Sequence, residues 1–269
     1  AVTCDPERYV RTAFRALRAA ARTARAQDLR VRAVGISSQA QTYVALDDRN
    51  QPVQPAVVWT DARPVEEAAQ AAEALPDFAR TSGFLRPSPL QFLPKLMRFR
   101  REGRSAERFL LLNEWIHLRL TGQARGDTMI QGMSGFYDIA RGEWNPRALA
   151  LAGIGPERLA SVAPPATVGT PLAAAAARAL GLPAVPLYTC GNDQSCAALG
   201  AGVDDVGEVF CNFGTALVVY ALKDRPAAPA TDDQIAGIGP LPGSWFLLAL
   251  ESECGNLVEG LARLLAPRG

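Results

Sequence analysis

The chain has 269 residues, 48% of them hydrophobic and 20% charged, with 28 Lys+Arg against 27 Asp+Glu. That length holds one large domain or two smaller ones around a real core, and the near-zero net charge excludes a disordered chain and the basic footprint of a nucleic-acid binder. No apolar run approaches the roughly 18 residues of a membrane span, and five scattered cysteines without a CxxC pair fit reduced thiols in the cytoplasm.

The opening AVTCDPERYV puts Asp5, Glu7 and Arg8 where a secretory leader would place its apolar stretch, so secretion is not expected. Pro6 to Gln27 has helical spacing, with Tyr9, Val10, Phe14 and Leu17 on one side and arginines on the other. Three β-rich runs follow: Val31–Ser37, Thr42–Asp48 and Ala56–Trp59, the last after the turn-like DRNQP. From Pro64 to Gly153 the pattern reads as helical, most clearly in PVEEAAQAAEAL, LQFLPKLMRFRRE and NPRALALAG. A second alternation then begins with the helix PLAAAAARALG and the strand Pro186–Cys190, and continues with the helix QSCAALGAG and the strands EVFCNF and ALVVYAL. The stretch Asp224–Asp233 reads as a surface loop, and Trp245–Leu250 as a strand running into the helix GNLVEGLARLL. Alternating strands and helices predict an α/β fold.

The single histidine, His117, lies in NEWIHLRLTG among Trp115, Ile116, Leu118 and Leu120, which reads as a packed helix residue and leaves no material for a His-rich metal site or a Ser-His-Asp triad. No G-x-x-x-x-G-K-[ST] occurs, and Gly200–Gly207 has the wrong spacing for a dinucleotide fingerprint. The polar clusters sit instead at strand ends: SSQAQT (Ser37–Thr42), WTDAR (Trp59–Arg63), CGNDQS (Cys190–Ser195) and Phe213–Thr215. In open α/β sheets ligands lie beyond the carboxyl ends of the strands, so these four clusters outline a cleft. Asp193 has two readings: a helix N-cap, or a general base that accepts a proton from a substrate hydroxyl in phosphoryl transfer. Gly214-Thr215, between two strands, reads as a plain turn or as a close-approach point for a phosphate with the Thr215 hydroxyl as an extra donor.

The order of these motifs resembles one family. VRAVGISSQAQTYVALDDRNQPVQPAVVWTDAR is similar to the first-domain run "IGISGQMHG…LVLLD…PAI.W.D.R" of the FGGY carbohydrate kinases. The likeness continues through Phe92–Leu96, Arg119–Gly122, Asp127 and Asp138 to Trp144, and into CGNDQSCAALGAGVDDVGEVFCNFGTALVV, which resembles "GGGDQ…AALGAG…PG.V…S.GTSGVV". The resemblance implies an α/β, actin-like ATPase (ribonuclease H-like) fold, two domains around a cleft, that transfers the ATP γ-phosphate to a sugar or polyol hydroxyl with Mg²⁺. It implies Asp193 as catalytic base, a substrate-binding set of Gln39, Gln41, Trp59, Asp61 and Arg63, and cofactor-binding positions at Gly214, Thr215, Gly255 and Glu259. No residue is assigned to a metal. The bland counterparts are strand-end core for Trp59, a surface ion pair for Asp61 and Arg63, and a helix-start glycine for Gly255.

Departures from the family pattern matter too. Xylulose-type members carry Met-His where this chain has Ala40-Gln41, and the family's Ser-Asp-Ala-Ser stretch is here Met129-Ile130-Gln131-Gly132. The substrate class therefore stays open among pentulose, hexulose, aldonate and polyol. Family members also begin with a "D-x-G-T" hairpin that handles magnesium and phosphates. The chain is expected to hold residues 1–203 as a sugar-binding domain without its first strands, and 204–269 as the start of an ATP-binding domain. The alternative is a catalytically incomplete sugar-binding fragment or pseudokinase; a further one, an actin-like ATPase without a sugar substrate, is opposed by WTDAR and SSQAQT. Expected partners are the small-molecule substrate and, through an open sheet edge, a second copy as a homodimer; nucleic acid and membrane are not expected.

Overall fold

The arginine-faced segment at the start of the chain becomes the helix Pro6–Ala26. Asp5 caps it by accepting the Glu7 amide at 3.0 Å, and Pro6 occupies the first turn, where its missing N–H costs nothing. Val10 and Ala21 turn inward while Arg11, Arg15, Arg18 and Arg22 stay exposed. The computed structural model describes residues 2–214, 217–251 and 254–265, the side chain of Asn256 excepted.

Three sheets carry the architecture. In the first, Val34–Ser38 runs parallel to Pro186–Asn192, which also pairs antiparallel with Thr170–Pro171. In the second, Tyr43–Leu46 lies between Ala56–Val57 and Arg108–Leu111, with Thr3–Cys4 outside, all antiparallel. The third is an antiparallel sheet in the order Val209–Phe213, Leu217–Lys223, Trp245–Glu251, Gln234–Ile238. The strands expected near residues 31–59 are all present, each shorter than its β-rich run, and the first ends at Ser38, one residue past the expected bound.

The stretch 64–153 is the main correction. It does form the helices Val65–Ala74, Phe92–Arg101 and Pro146–Ala152, yet Arg108–Leu111 is a strand against Tyr43–Leu46. Four apolar-rich residues carry no period that separates a buried strand from a helix, and the cross-strand partners decide it. Short strands also form at Arg125–Asp127, paired with Ser161–Ala163, and at Tyr137–Asp138, paired with Glu143–Trp144. The strand Gln234–Ile238, directly after the expected surface loop, is likewise an addition. His117 is buried in the helix Leu112–Thr121, its Nδ1 2.7 Å from the Gln123 carbonyl oxygen, as its apolar neighbours predict.

One aromatic core runs through both ends of the chain. Tyr43 packs on Phe92 and Phe92 on Phe136, with ring centroids 5.1 and 5.3 Å apart, while Tyr220 stacks on Phe246 at 5.4 Å in the same hydrophobic cluster. A backbone seam joins the last sheet to the earlier part: the Ala236 amide donates to the Gly83 carbonyl at 2.8 Å, and Phe84 bridges Ile235. Gly83 has φ 71°, and a Cβ there would lie 1.9 Å from the Ala236 oxygen, so both conformation and space demand glycine.

The parallel pair contains one irregularity. Thr189 faces Ile36 and Gly191 faces Ser37, so Cys190 is an extra residue in its strand. Beyond it Asn192 faces Ser38, and both strands end at the same edge.

Candidate functional site

Gln39 and Asp193 each follow directly after that last matched pair, Ser38 and Asn192. Two carboxyl ends of adjacent parallel strands thus bring Gln39 and Asp193 to one sheet edge, the position in which open α/β sheets bind ligands. The helix Asp193–Gly200 is capped by Asn192, whose side chain accepts the Gln194 amide at 3.0 Å. The capping role open to Asp193 is therefore taken by its buried neighbour, because Asn192 holds the extended backbone of a cap residue. Asp193 stands exposed in the first turn, its Oδ1 accepting its own helix's Gln194 amide at 2.9 Å.

The backbone beneath Asp193 is anchored from below. Gly191 has φ 100°, and a Cβ there would meet the Met129 sulfur at 2.5 Å; the Asn192 amide points at the same sulfur, 3.2 Å away. Asp127 caps the helix Thr128–Gly132 through the Ile130 amide at 2.9 Å and also accepts from Asn113 Nδ2 at 3.2 Å and from the Gly191 backbone. Burial pushes the Asp127 carboxyl up to about 6, against these hydrogen bonds. Its neighbour Glu114, fully enclosed and bonded to Gln131 Nε2 at 2.7 Å and the Leu111 amide at 2.8 Å, is pushed up to about 7 by burial.

Gln39 connects to the tryptophan segment through one hydroxyl. Its Nε2 donates to Thr42 Oγ1 at 2.8 Å, and the Trp59 amide donates to the same oxygen at 3.0 Å. Trp59 exposes its side chain at the end of Ala56–Val57. Asp61, 2% exposed, binds Arg63 in a two-pronged pair: Nε reaches Oδ1 at 2.8 Å and Nη2 reaches Oδ2 at 2.6 Å. Burial works to raise the Asp61 carboxyl, and the Arg63 hydrogen bonds outweigh it, holding it down to about 2. Asp61 and Arg63 line a small open pocket with Tyr43, Lys95, Arg98 and Glu102, whereas Gln39, Trp59 and Asp193 lie outside that lining.

Gln41 has both ends of its amide engaged: Oε1 accepts the Phe92 amide at 2.8 Å and Nε2 donates to the Met133 carbonyl at 2.5 Å. Its backbone is left-handed, φ 69°. Lys95, which sequence reasoning passed over within FLPKL, is 2% exposed and points its ammonium at the carbonyl oxygens of Gln41, Val58 and Trp59, at 3.3, 3.1 and 2.9 Å. Burial brings it down to about 7. A signal was present, since Lys95 and Lys223 are the only lysines in a chain whose other cations are arginines.

The positions that the resemblance assigns to the nucleotide are more dispersed. Gly214 is exposed just past Val209–Phe213, a strand tied to the Asp193 helix by Asn212 Nδ2 donating to Gln194 Oε1 at 3.2 Å. Thr215 lies outside the described residues. Gly255 and Glu259 fall on the helix Cys254–Leu265, where Glu259 pairs with Arg263 at 3.0 Å in solvent. Among the described residues no group of three or more His, Cys, Asp or Glu is placed to hold a metal ion.

The sequence profile of the FGGY family of carbohydrate kinases, N-terminal domain, matches residues 2–200. The chain belongs to this family. A xylulose kinase of Escherichia coli (strain K12) is 24% identical over 264 residues, covering 97% of this chain and 54% of that protein. A gluconokinase of Bacillus subtilis (strain 168) is 24% identical over 203 residues, 73% of this chain and 40% of that protein. Among solved structures, the xylulose kinase from Rhodospirillum rubrum superposes with a TM-score of 0.89 at 25% identity, covering 99% of this chain and 56% of that one. This FGGY chain accordingly has the actin-like ATPase fold, and it spans about half the length of the relatives it matches.

Proposed function

We propose that the chain supplies the sugar-binding part, residues 1–203, and the beginning of the ATP-binding part, residues 204–269, of a kinase that phosphorylates a hydroxyl of a sugar or polyol. The observation that carries this reading is the shared strand edge that sets exposed Asp193 beside Gln39. Asp193 takes the proton of the substrate hydroxyl as that oxygen attacks the γ-phosphorus of ATP in line; the new O–P bond forms as the bond to the leaving ADP breaks. Gln39, Trp59, Asp61 and Arg63 serve the substrate side, the Asp61–Arg63 pair presenting a preformed arrangement of donors and acceptors to a polyhydroxy compound. Gly214, Thr215, Gly255 and Glu259 serve the nucleotide side.

Mg²⁺ would come bound to the nucleotide and neutralise charge on its phosphates, and no described residue is assigned to hold it. The same reading places the reaction in the cytoplasm, where five free cysteines stay reduced. The test is ADP release by the protein in its full-length frame with Mg-ATP and a panel of ketoses, polyols and aldonates. Sugar-dependent turnover that Asp193→Asn abolishes while sugar binding persists supports the reading. Binding without turnover in the wild type sinks it in favour of a pseudokinase.

A further inference from the structure

Lys95 is a buried amine whose hydrogen-bond partners among the described residues are all main-chain carbonyl oxygens. A protonated amine has three N–H donors in a tetrahedral fan, and three carbonyls meet them, one from the Gln39–Thr42 turn and two from the Val58–Trp59 strand end. Those two segments carry Gln39 and Trp59, and the second leads straight to Asp61 and Arg63. The Val58 carbonyl also takes the Asp61 amide at 3.0 Å, so the Lys95 contact and the turn that presents Asp61 share one oxygen.

Gln41 completes the arrangement from the other side. A left-handed backbone at a non-glycine residue costs free energy and persists only where its surroundings over-determine it. Here they do: the carbonyl is held by Lys95, one end of the side chain supplies an acceptor to the Phe92 amide at the start of the Phe92–Arg101 helix, and the other ties to Met133. The helix is itself fixed in the core by Phe92, Leu93, Leu96 and Phe99. Composition points the same way, because a chain with 28 cationic residues uses lysine at only two, 95 and 223. A flat guanidinium fork does not match three carbonyls converging on one point, whereas an ammonium does.

We propose that Lys95 and Gln41 form a clamp that sets the spacing of the two substrate-side segments, making both positioning residues for substrate recognition and removing position 41 from direct sugar contact. This inference rests on the kinase reading for its kinetic consequence, though not for its structural one. The groups facing Lys95 across the pocket are Asp61, Arg63, Arg98, Glu102 and Arg104, and all of them are left in place by the test.

The experiment compares wild type, Lys95→Met, Lys95→Arg and Gln41→Ala in the full-length frame. The clamp predicts a sugar KM raised about tenfold in Lys95→Met and Lys95→Arg, with the ATP KM and the kcat at saturating sugar changed by less than about threefold. An unchanged sugar KM in a folded Lys95→Met protein overturns the proposal, as does an equal loss in kcat with KM unmoved. Hydrogen exchange on the same proteins separates this failure from failure of the kinase reading. Whether or not any sugar is turned over, Lys95→Arg and Gln41→Ala are expected to speed amide exchange in residues 39–42 and 58–61 by about tenfold or more while the core helices keep their protection. Uniform exchange across those segments in every folded variant rejects the clamp. If Lys95→Met does not fold, Gln41→Ala and Lys95→Arg carry both readouts.

Discussion

The segments proposed to face the substrate and those proposed to face the nucleotide are built differently. Around the Gln39–Thr42 and Trp59–Arg63 segments the polar groups are tied down: Gln39 and Trp59 share Thr42, Gln41 holds two helices, Asp61 grips Arg63, and Lys95, from the Phe92–Arg101 helix, binds three carbonyls. On the other side, Phe213 is 63% exposed at a strand end and Leu264 is 82% exposed on the Cys254–Leu265 helix. A polyhydroxy ligand must be told from its isomers by fixed donors and acceptors, which rewards rigidity. Phosphates are held through charge and backbone amides, which a strand end and a helix start supply with less scaffolding.

The largest effect that sharpens this contrast is at Asp193. Asp193→Asn is expected to lower kcat about 100- to 10,000-fold with little change in sugar affinity, read by ADP release and calorimetry. Next is the pair on the rigid side. Arg63→Met leaves the buried Asp61 carboxylate without its partner and is expected to cost about 2 kcal/mol in urea unfolding. Because the Asp61 carboxyl is held down to about 2, its contribution is present above about pH 4 and is lost as pH falls from there toward 2. Arg63→Met should flatten the stability profile in that window.

A smaller effect concerns the enclosed acids beneath Asp193. Glu114 is raised to about 7, so its protonated form favours the fold: that stability is present below about pH 4.5 and is lost as pH rises through about 7. Glu114→Gln should reduce the decline in stability over that range, leaving the part due to Asp127, raised to about 6. Smallest of all, the Arg86–Asp232 pair across the seam is exposed on both sides, and Arg86→Ala should leave Tm unchanged within error by calorimetry.

What was legible in the sequence divides along physical lines. The amphipathic helix at the start, the two strands that pair in parallel and the helix after Asp193 follow from period, caps and strand-end polarity, which are local; the pairing of those strands, about 150 residues apart, does not. Arg108–Leu111 was misread because its strand character comes from Tyr43–Leu46, more than sixty residues earlier in the chain. At the site, the exposed carboxylate and the WTDAR motif announced themselves by residue type. Lys95 did not, because its meaning lies in three carbonyls, and main-chain acceptors leave no trace in a sequence. Gln41 stood out through the family motif, and the two amide partners that hold its side chain in place, the Phe92 amide and the Met133 carbonyl, could not be read from the sequence.

The extra residue at Cys190 limits how this chain can vary in length. Removing one residue between Pro186 and Thr189 would draw the chain back by one place, moving Asp193 into the buried cap position of Asn192 and Gln194 into the exposed place of Asp193, whereas removing Cys190 itself would leave Gly191 and Asn192 opposite Ser37 and Ser38. The exposed part of the 224–233 loop, ahead of Asp232 and Asp233 with their bonds to Arg86 and Leu250, is expected to tolerate insertions and deletions. Residues 187–189 are expected to tolerate neither, and a library of single-residue deletions in the full-length frame would show activity surviving in the exposed loop and vanishing in that strand.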